Sequence, residues 1–235
     1  MTTACPKCGV DSGIEADECP RCGVVFARLH ARPAVAIAEP APRGGGDAPD
    51  LTAHDSGSGA VRAVRLLVLA GLAIWTVRAA AAGMGTTAAE SFLHLPNLVF
   101  HEAGHVVFSL FGRFMTVLGG SLLQCLVPIV CAVAFVRQRN LFAAALCTWW
   151  AGENLLDLAP YIADARALQL VLLGGQTGAE VEGHDWEFIL TQLGWLHRDV
   201  TLGLAAHRLG LLTMAAALVW GGMAALRSRS QDSHG

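Results

Sequence analysis

Apolar residues gather into five long runs, at 61–83, 92–112, 115–136, 141–161 and 200–226, separated by arginines, glycines and short polar clusters. Runs of this length exceed ordinary strands and match the roughly 20 residues with which a helix crosses about 30 Å of hydrocarbon. The pattern therefore predicts an all-α polytopic membrane domain over 61–226, with about five transmembrane helices. A more polar stretch, 164–199, parts the fourth run from the fifth. Arg62 and Arg65 place the start of the first run on the cytoplasmic side. Five crossings from there leave Arg137, Arg139, Arg227 and Arg229 outside, against the positive-inside tendency. Either one run is re-entrant, or "ALQLVLLGG" at 167–175 adds a further membrane element.

The remainder of the chain has no such runs. Residues 1–26 form a cysteine module, 27–60 is a Pro-, Gly-, Ala- and Ser-rich stretch without a sustained period that reads as a disordered tether, and 227–235 is a polar C-terminal tail. Composition agrees with a membrane protein: 54% of residues are hydrophobic and only 15% charged. Lipid is the first expected partner. The net charge of −3 and the scattering of the sixteen Lys and Arg give no basic stripe, so nucleic acid is not an expected partner. The first 30 residues lack an apolar core with a small-residue cleavage site, so no signal peptide is expected.

Four of the seven cysteines lie in the first 22 residues, as Cys5-Pro-Lys-Cys8-Gly and Cys19-Pro-Arg-Cys22-Gly. Two CxxC turns supply four thiolates for a tetrahedral ion, and the glycine after each turn permits the backbone such a knuckle needs. A segment this short buries little core, so metal binding must drive its folding. Thiolate ligation requires a reducing compartment, which puts the N-terminus in the cytosol. A redox pair or a rubredoxin-like iron centre uses similar spacing. The module resembles the short zinc ribbons found at the ends of many bacterial proteins. That resemblance implies a closed structural Zn2+, a role in docking or sensing a cytosolic protein partner, and residence of the whole chain in a bacterial inner membrane.

A different chemistry stands in the second run, "LVFHEAGHVVFSLFG" at 98–112. His101 and His105, four apart, project from one face of a helix and can hold one Zn2+ between them. Glu102 stands beside the pair, where a general base would take a proton from an activated water. Charged groups inside a bilayer cost a few kcal/mol each, so they face a polar interior and pair or bind something. Gly104 allows close approach of a neighbouring helix. The plainer reading is a polar seam between helices. A catalytic zinc needs a third protein ligand and an open position, and Glu153, Asp157, Tyr161 and Asp164 recur along one helical face as the best reservoir.

HEAGH in a membrane helix, followed by a later span bearing Asn and Asp, resembles the site-2-protease-type intramembrane zinc metalloproteases. The resemblance covers about 92–166 and implies that His101 and His105 are ligands, that Glu102 is the base, and that Asn154 corresponds to the family asparagine. It also implies a membrane protein or peptide as substrate. The family's LDG is missing, and Asp157 and Asp164 both stand for its aspartate. Asp164 lies about 10 Å further along the helix, towards the membrane edge, which favours Asp157. His184 and Asp185 of "GHDW" are the next candidates, as ligand, as a group orienting one or as a substrate contact, with a cap on the helix that follows as the plainer reading. Gln124 and Pro128 read as a packing contact and a kink, and His94, His197 and His207 as packing residues. The alternative to a peptidase is a noncatalytic membrane scaffold with a structural metal site; a histidine-rich iron oxidoreductase would need more His clusters than the chain has.

Overall fold

The computed structural model describes residues 3–5, 7–12, 17–23, 25, 59–84 and 93–227. The tether, apart from its last two residues, and the C-terminal tail beyond Arg227 lie outside the described residues. The chain divides into two units, Met1–Leu51 and Thr52–Gly235.

In the first unit, β1 (Thr3–Ala4) pairs antiparallel with β2 (Asp11–Ser12), Thr3 opposite Ser12. The two CxxC turns close in the same way: the Gly9 N–H donates to the Cys5 carbonyl at 2.8 Å and the Gly23 N–H to the Cys19 carbonyl at 2.9 Å. Both glycines are left-handed, with φ of 70° and 67°, a conformation that costs a side-chain-bearing residue about 1 kcal/mol or more.

The second unit holds six α-helices among the described residues: α1 (Gly59–Ala82), α2 (His94–Phe108), α3 (Arg113–Arg137), α4 (Leu141–Ala163), α5 (Asp185–Gln192) and α6 (Asp199–Arg227). Helix α4 is central, packing against α3 on one side and α6 on the other, while α2 lies on α3 and α1 on α6. Small residues set these distances. A Cβ on Gly210 of α6 would stand 2.6 Å from the Gly152 carbonyl of α4 and collide with the Leu156 side chain. One on Gly104 of α2 would collide with the Gly119 carbonyl of α3. Helices approach this closely in membranes because apolar side chains gain nothing there by leaving lipid, so contact between backbones carries the association. Indole hydrogen bonds join more distant pairs: Trp149 Nε1 donates to Thr76 Oγ1 at 3.0 Å, and Trp150 Nε1 to Asn97 Oδ1 at 2.9 Å.

Three helical stretches, Gly59–Ala82, Arg113–Arg137 and Leu196–Arg227, are long and apolar enough to cross a membrane. The expectation of about five is corrected to these three among the described residues, for two physical reasons. Helix α2 has 15 residues, about 22 Å at 1.5 Å each, short of a bilayer core. The run at 92–112 ends in a 3-10 turn, Ser109–Phe111, and in Gly112 with φ of 86°. Helix α4 is long, but Glu153, Asn154 and Asp157 sit buried on it, lowering its apolar content and facing protein rather than lipid. The segment 167–175 contributes no membrane helix. It turns back on itself, with Leu172 N–H donating to the Gln176 carbonyl and Gly175 N–H to the Leu172 carbonyl, both at 2.8 Å.

The α4–α6 contact makes a direct prediction. Gly210→Ala is expected to lower stability by about 1–3 kcal/mol through overpacking. Gly222→Ala, on the same helix with nothing within 4 Å of its Cβ, is expected not to lower it, alanine being the better helix former by up to about 1 kcal/mol. Equilibrium unfolding in detergent compares the two, and equal effects would contradict the close contact.

Candidate metal centre

The four cysteines of the first unit come together as the repeated knuckle requires. Cys5 Sγ lies 3.7 Å from Cys22 Sγ, and Cys8 Sγ 3.6 Å from Cys19 Sγ. A disulfide would bring a pair to about 2.05 Å, whereas thiolates about 2.3 Å from a shared tetrahedral ion stand about 3.8 Å apart. The Arg21 and Cys22 backbone N–H groups aimed at its sulfur pull the Cys19 thiol down to about 6. At Cys8 the Val10 backbone hydrogen bond is outweighed by burial and the neighbouring cysteines, which push that thiol up to about 12, so the four sulfurs do not all become thiolates without a cation. This group can hold a metal ion with all four positions filled.

In the second unit a helical turn separates His101 and His105, and their rings lie edge to face with centroids 5.0 Å apart. Each ring's outer nitrogen has a fixed partner. His105 Nδ1 donates to the Thr116 carbonyl at 2.9 Å, and His101 Nδ1 is 2.9 Å from Gln124 Oε1. A carbonyl only accepts. Gln124 must also present its oxygen to His101, because its Nε2 donates to Asp157 Oδ2 at 2.9 Å and a carboxylate only accepts. Both imidazoles are thereby protonated at Nδ1, as the network requires, which leaves each Nε2 as a lone pair in the neutral ring or as a second N–H in the imidazolium.

Both Nε2 atoms point at the same oxygen. His101 Nε2 is 2.9 Å and His105 Nε2 3.3 Å from Asp185 Oδ2. With neutral rings these are three acceptors facing one another, which needs positive charge among them, either a metal ion or the protons of imidazolium rings paired with the carboxylate. The three ligand atoms lie within 4.8 Å of one another, and nitrogen and oxygen ligands about 2.0–2.1 Å from a tetrahedral ion stand about 3.3 Å apart. The donor set fits a metal ion. Gly120 makes room for it: a Cβ there would lie 2.6 Å from His101 Nε2 and 2.7 Å from His105 Nε2.

Asp185 arrives from outside the long helices, in the first turn of α5. His184 caps that helix, its Nδ1 accepting from the Glu187 N–H at 3.1 Å. The Asp185 N–H donates to Tyr161 Oη at 2.9 Å, and Trp186 Nε1 to Ser121 Oγ at 3.1 Å, docking α5 on α4 and α3. Burial opposes the charged form of Asp185, but the hydrogen bonds and charges of His101 and His105 together outweigh it and hold its carboxyl below the ordinary range. Burial keeps the neighbouring His184 low and therefore neutral.

The other expected residues are distributed around this centre. Asp157 is not among the converging atoms; its carboxylate is engaged by His94 Nδ1 at 2.8 Å, Gln124 Nε2 at 2.9 Å and Asn97 Nδ2 at 3.3 Å, reaching His101 only through Gln124. Asp164 accepts from the Gln169 and Leu170 N–H groups at 3.0 and 2.9 Å, folding the loop after α4, and stands 3.5 Å from His184 Nε2. Asn154 donates back to the Trp150 carbonyl of its own helix at 2.9 Å, away from the site. Glu102 faces a cavity of about 570 Å3 that it shares with His101, His105 and Asp185, opposite the apolar residues Leu170–Leu173. Gln124 and His94, read from sequence as packing residues, belong to this network. The signal for Gln124 was present: it is the lone amide in an otherwise apolar run, where a polar group needs a partner. No family model, curated protein or solved structure matches the chain.

Two groups that could each hold a metal ion make separable predictions. Replacing the four N-terminal cysteines with serine is expected to remove one metal equivalent per chain, and His101→Ala in the intact chain to remove another. Elemental analysis of the purified protein reads both, and an unchanged content in the His101→Ala variant would contradict a metal between the histidines.

Proposed function

We propose that the protein is an intramembrane zinc metallopeptidase that hydrolyses peptide bonds of membrane or membrane-proximal substrates. The observation that carries this reading is the convergence of His101 Nε2, His105 Nε2 and Asp185 Oδ2 at the wall of a cavity that also receives the exposed Glu102. Two imidazoles and one carboxylate are the donor set of hydrolytic zinc sites that keep one position open. Bound there, Zn2+ supplies Lewis acidity and a water acidified to about pKa 7.

The chain's own groups supply the rest. His101, His105 and Asp185 hold the ion, and Glu102, next to the first ligand, takes the proton of the attacking water and delivers it to the leaving amine. Leu98, Leu158 and Leu170–Leu173 give the cavity an apolar wall suited to a hydrophobic peptide segment. This assignment keeps the resemblance to site-2-protease-type enzymes at HEAGH and departs from it at the acid, which comes from α5 rather than from Asp157. In the same reading the chain is an integral protein of a bacterial inner membrane. Arg62 and Arg65 hold the start of α1 in the cytosol, and the ribbon binds its structural zinc and a cytosolic protein partner there.

A noncatalytic scaffold is favoured by one feature: with the rings protonated, the Asp185 carboxylate pairs with both histidines and forms a polar seam between α5 and α2 with no ion. Glu102→Gln separates the readings. The peptidase account expects zinc content to be retained and cleavage of a quenched apolar peptide in detergent to fall by about 10²–10⁴-fold. Turnover equal to wild type would refute it.

A further inference from the structure

Beneath the histidines lies a second layer of buried polar groups, and their donor and acceptor types admit a single arrangement. Trp150 Nε1 only donates, so Asn97 must turn its oxygen to it, at 2.9 Å. The Asn97 Nδ2 then faces the carboxylates, 2.8 Å from Glu153 Oε2 and 3.3 Å from Asp157 Oδ2. Asp157 only accepts, so Gln124 must turn its Nε2 to it and its Oε1 to His101 Nδ1. The chain runs from an indole that must donate to an imidazole that must donate, and each amide between them is locked. Gln124 is 2% exposed and Asp157 7%, so bulk water does not replace either partner.

A reversed Gln124 amide would present N–H to His101 Nδ1. The imidazole would then carry its proton on Nε2 and lose the lone pair aimed at Asp185. We infer that Gln124 is a positioning residue for the metal, fixing the tautomer and ring orientation of His101, and that Asp157 acts through Gln124 rather than as a ligand. This inference rests on the metal site proposed above and assigns the aspartate of α4 a role different from the one its resemblance implies.

Zinc retention by the full-length protein under chelator competition tests it, with the ribbon's zinc as an internal reference. Gln124→Leu, which keeps bulk but offers no acceptor, is expected to weaken the second zinc by about 10–100-fold, the range for loss of such a supporting partner. Gln124→Glu, which retains an oxygen for His101, is expected to recover most of that loss. Asp157→Asn is expected to keep the second zinc, and Gln124→Leu/Asp157→Asn to hold it no more weakly than Gln124→Leu alone, because the aspartate's effect passes through the amide. Asp185→Asn is expected to lose it. Helical content and the zinc-free unfolding midpoint show whether each variant folds; should Gln124→Leu not fold, Gln124→Met carries the same comparison. The inference is overturned if Asp157→Asn loses zinc as completely as Asp185→Asn, if Gln124→Leu/Asp157→Asn holds zinc more weakly than Gln124→Leu alone, or if Gln124→Leu binds zinc like wild type. A wild-type chain that holds only the ribbon's zinc overturns the metal site itself, an outcome visible before any variant is compared.

Discussion

Two imidazole nitrogens, directed at one carboxylate oxygen, need positive charge among them, as a metal ion or as protons on the rings. That requirement organises the second unit. The rings face the same way because His101 and His105 are one helical turn apart on α2, and they stay there because Gln124 and the Thr116 carbonyl hold their far sides. Helix α3 supplies both partners, and it lies close enough only because Gly104, Gly119 and Gly120 carry no side chains at the contact. The carboxylate that completes the group is delivered by α5, pinned through Tyr161 and Ser121.

The second layer follows from the same economy of donors and acceptors. A buried polar group left without a partner costs about 1–3 kcal/mol, and a partly satisfied network in an apolar bundle is worse than none. Asn97, Gln124 and Asp157 avoid that penalty by pairing with one another and with Trp150 and His94. These contacts join α2, α3 and α4 at the depth of the histidines, so fixing the ligands and holding the helices together are one structural feature. Glu153 Oε1, Asn154 Oδ1 and His184 Nε2 are the exceptions, buried without a hydrogen-bond partner among the described residues.

What sequence could and could not foretell divides along the same lines. The cysteine knuckles and the His101–His105 pair were legible because their spacing is local: two residues between thiolates, one helical turn between imidazoles. The face bearing Glu153, Asp157 and Tyr161 was legible as well, since helical periodicity alone shows that it avoids lipid. Choosing the residue that meets the histidines was beyond periodicity, because α4 brings Asp157 near while the turn through Asp164 and the capped start of α5 bring Asp185 nearer. The number of spans was overread for a related reason. An apolar run reports burial without saying whether lipid or protein does the burying: α4 is buried largely by its neighbours, while α2 buries Asn97, His101 and Gly104, leaves Leu95, Val99, Val106 and Val107 exposed and is short.

The cysteine cluster and the histidine group lie in separate units, one offering four sulfurs that could fill all positions of a tetrahedral ion, the other offering mixed ligands beside a cavity. The claim on which the account turns is the identity of the atoms around the second ion. Anomalous scattering at the zinc edge from crystals of the full-length protein measures that directly. The account predicts a peak in the membrane unit about 2.0–2.2 Å from His101 Nε2, His105 Nε2 and an Asp185 carboxylate oxygen, with Asp157 bound to Gln124. A peak ligated by Asp157, or none between the histidines, would contradict it.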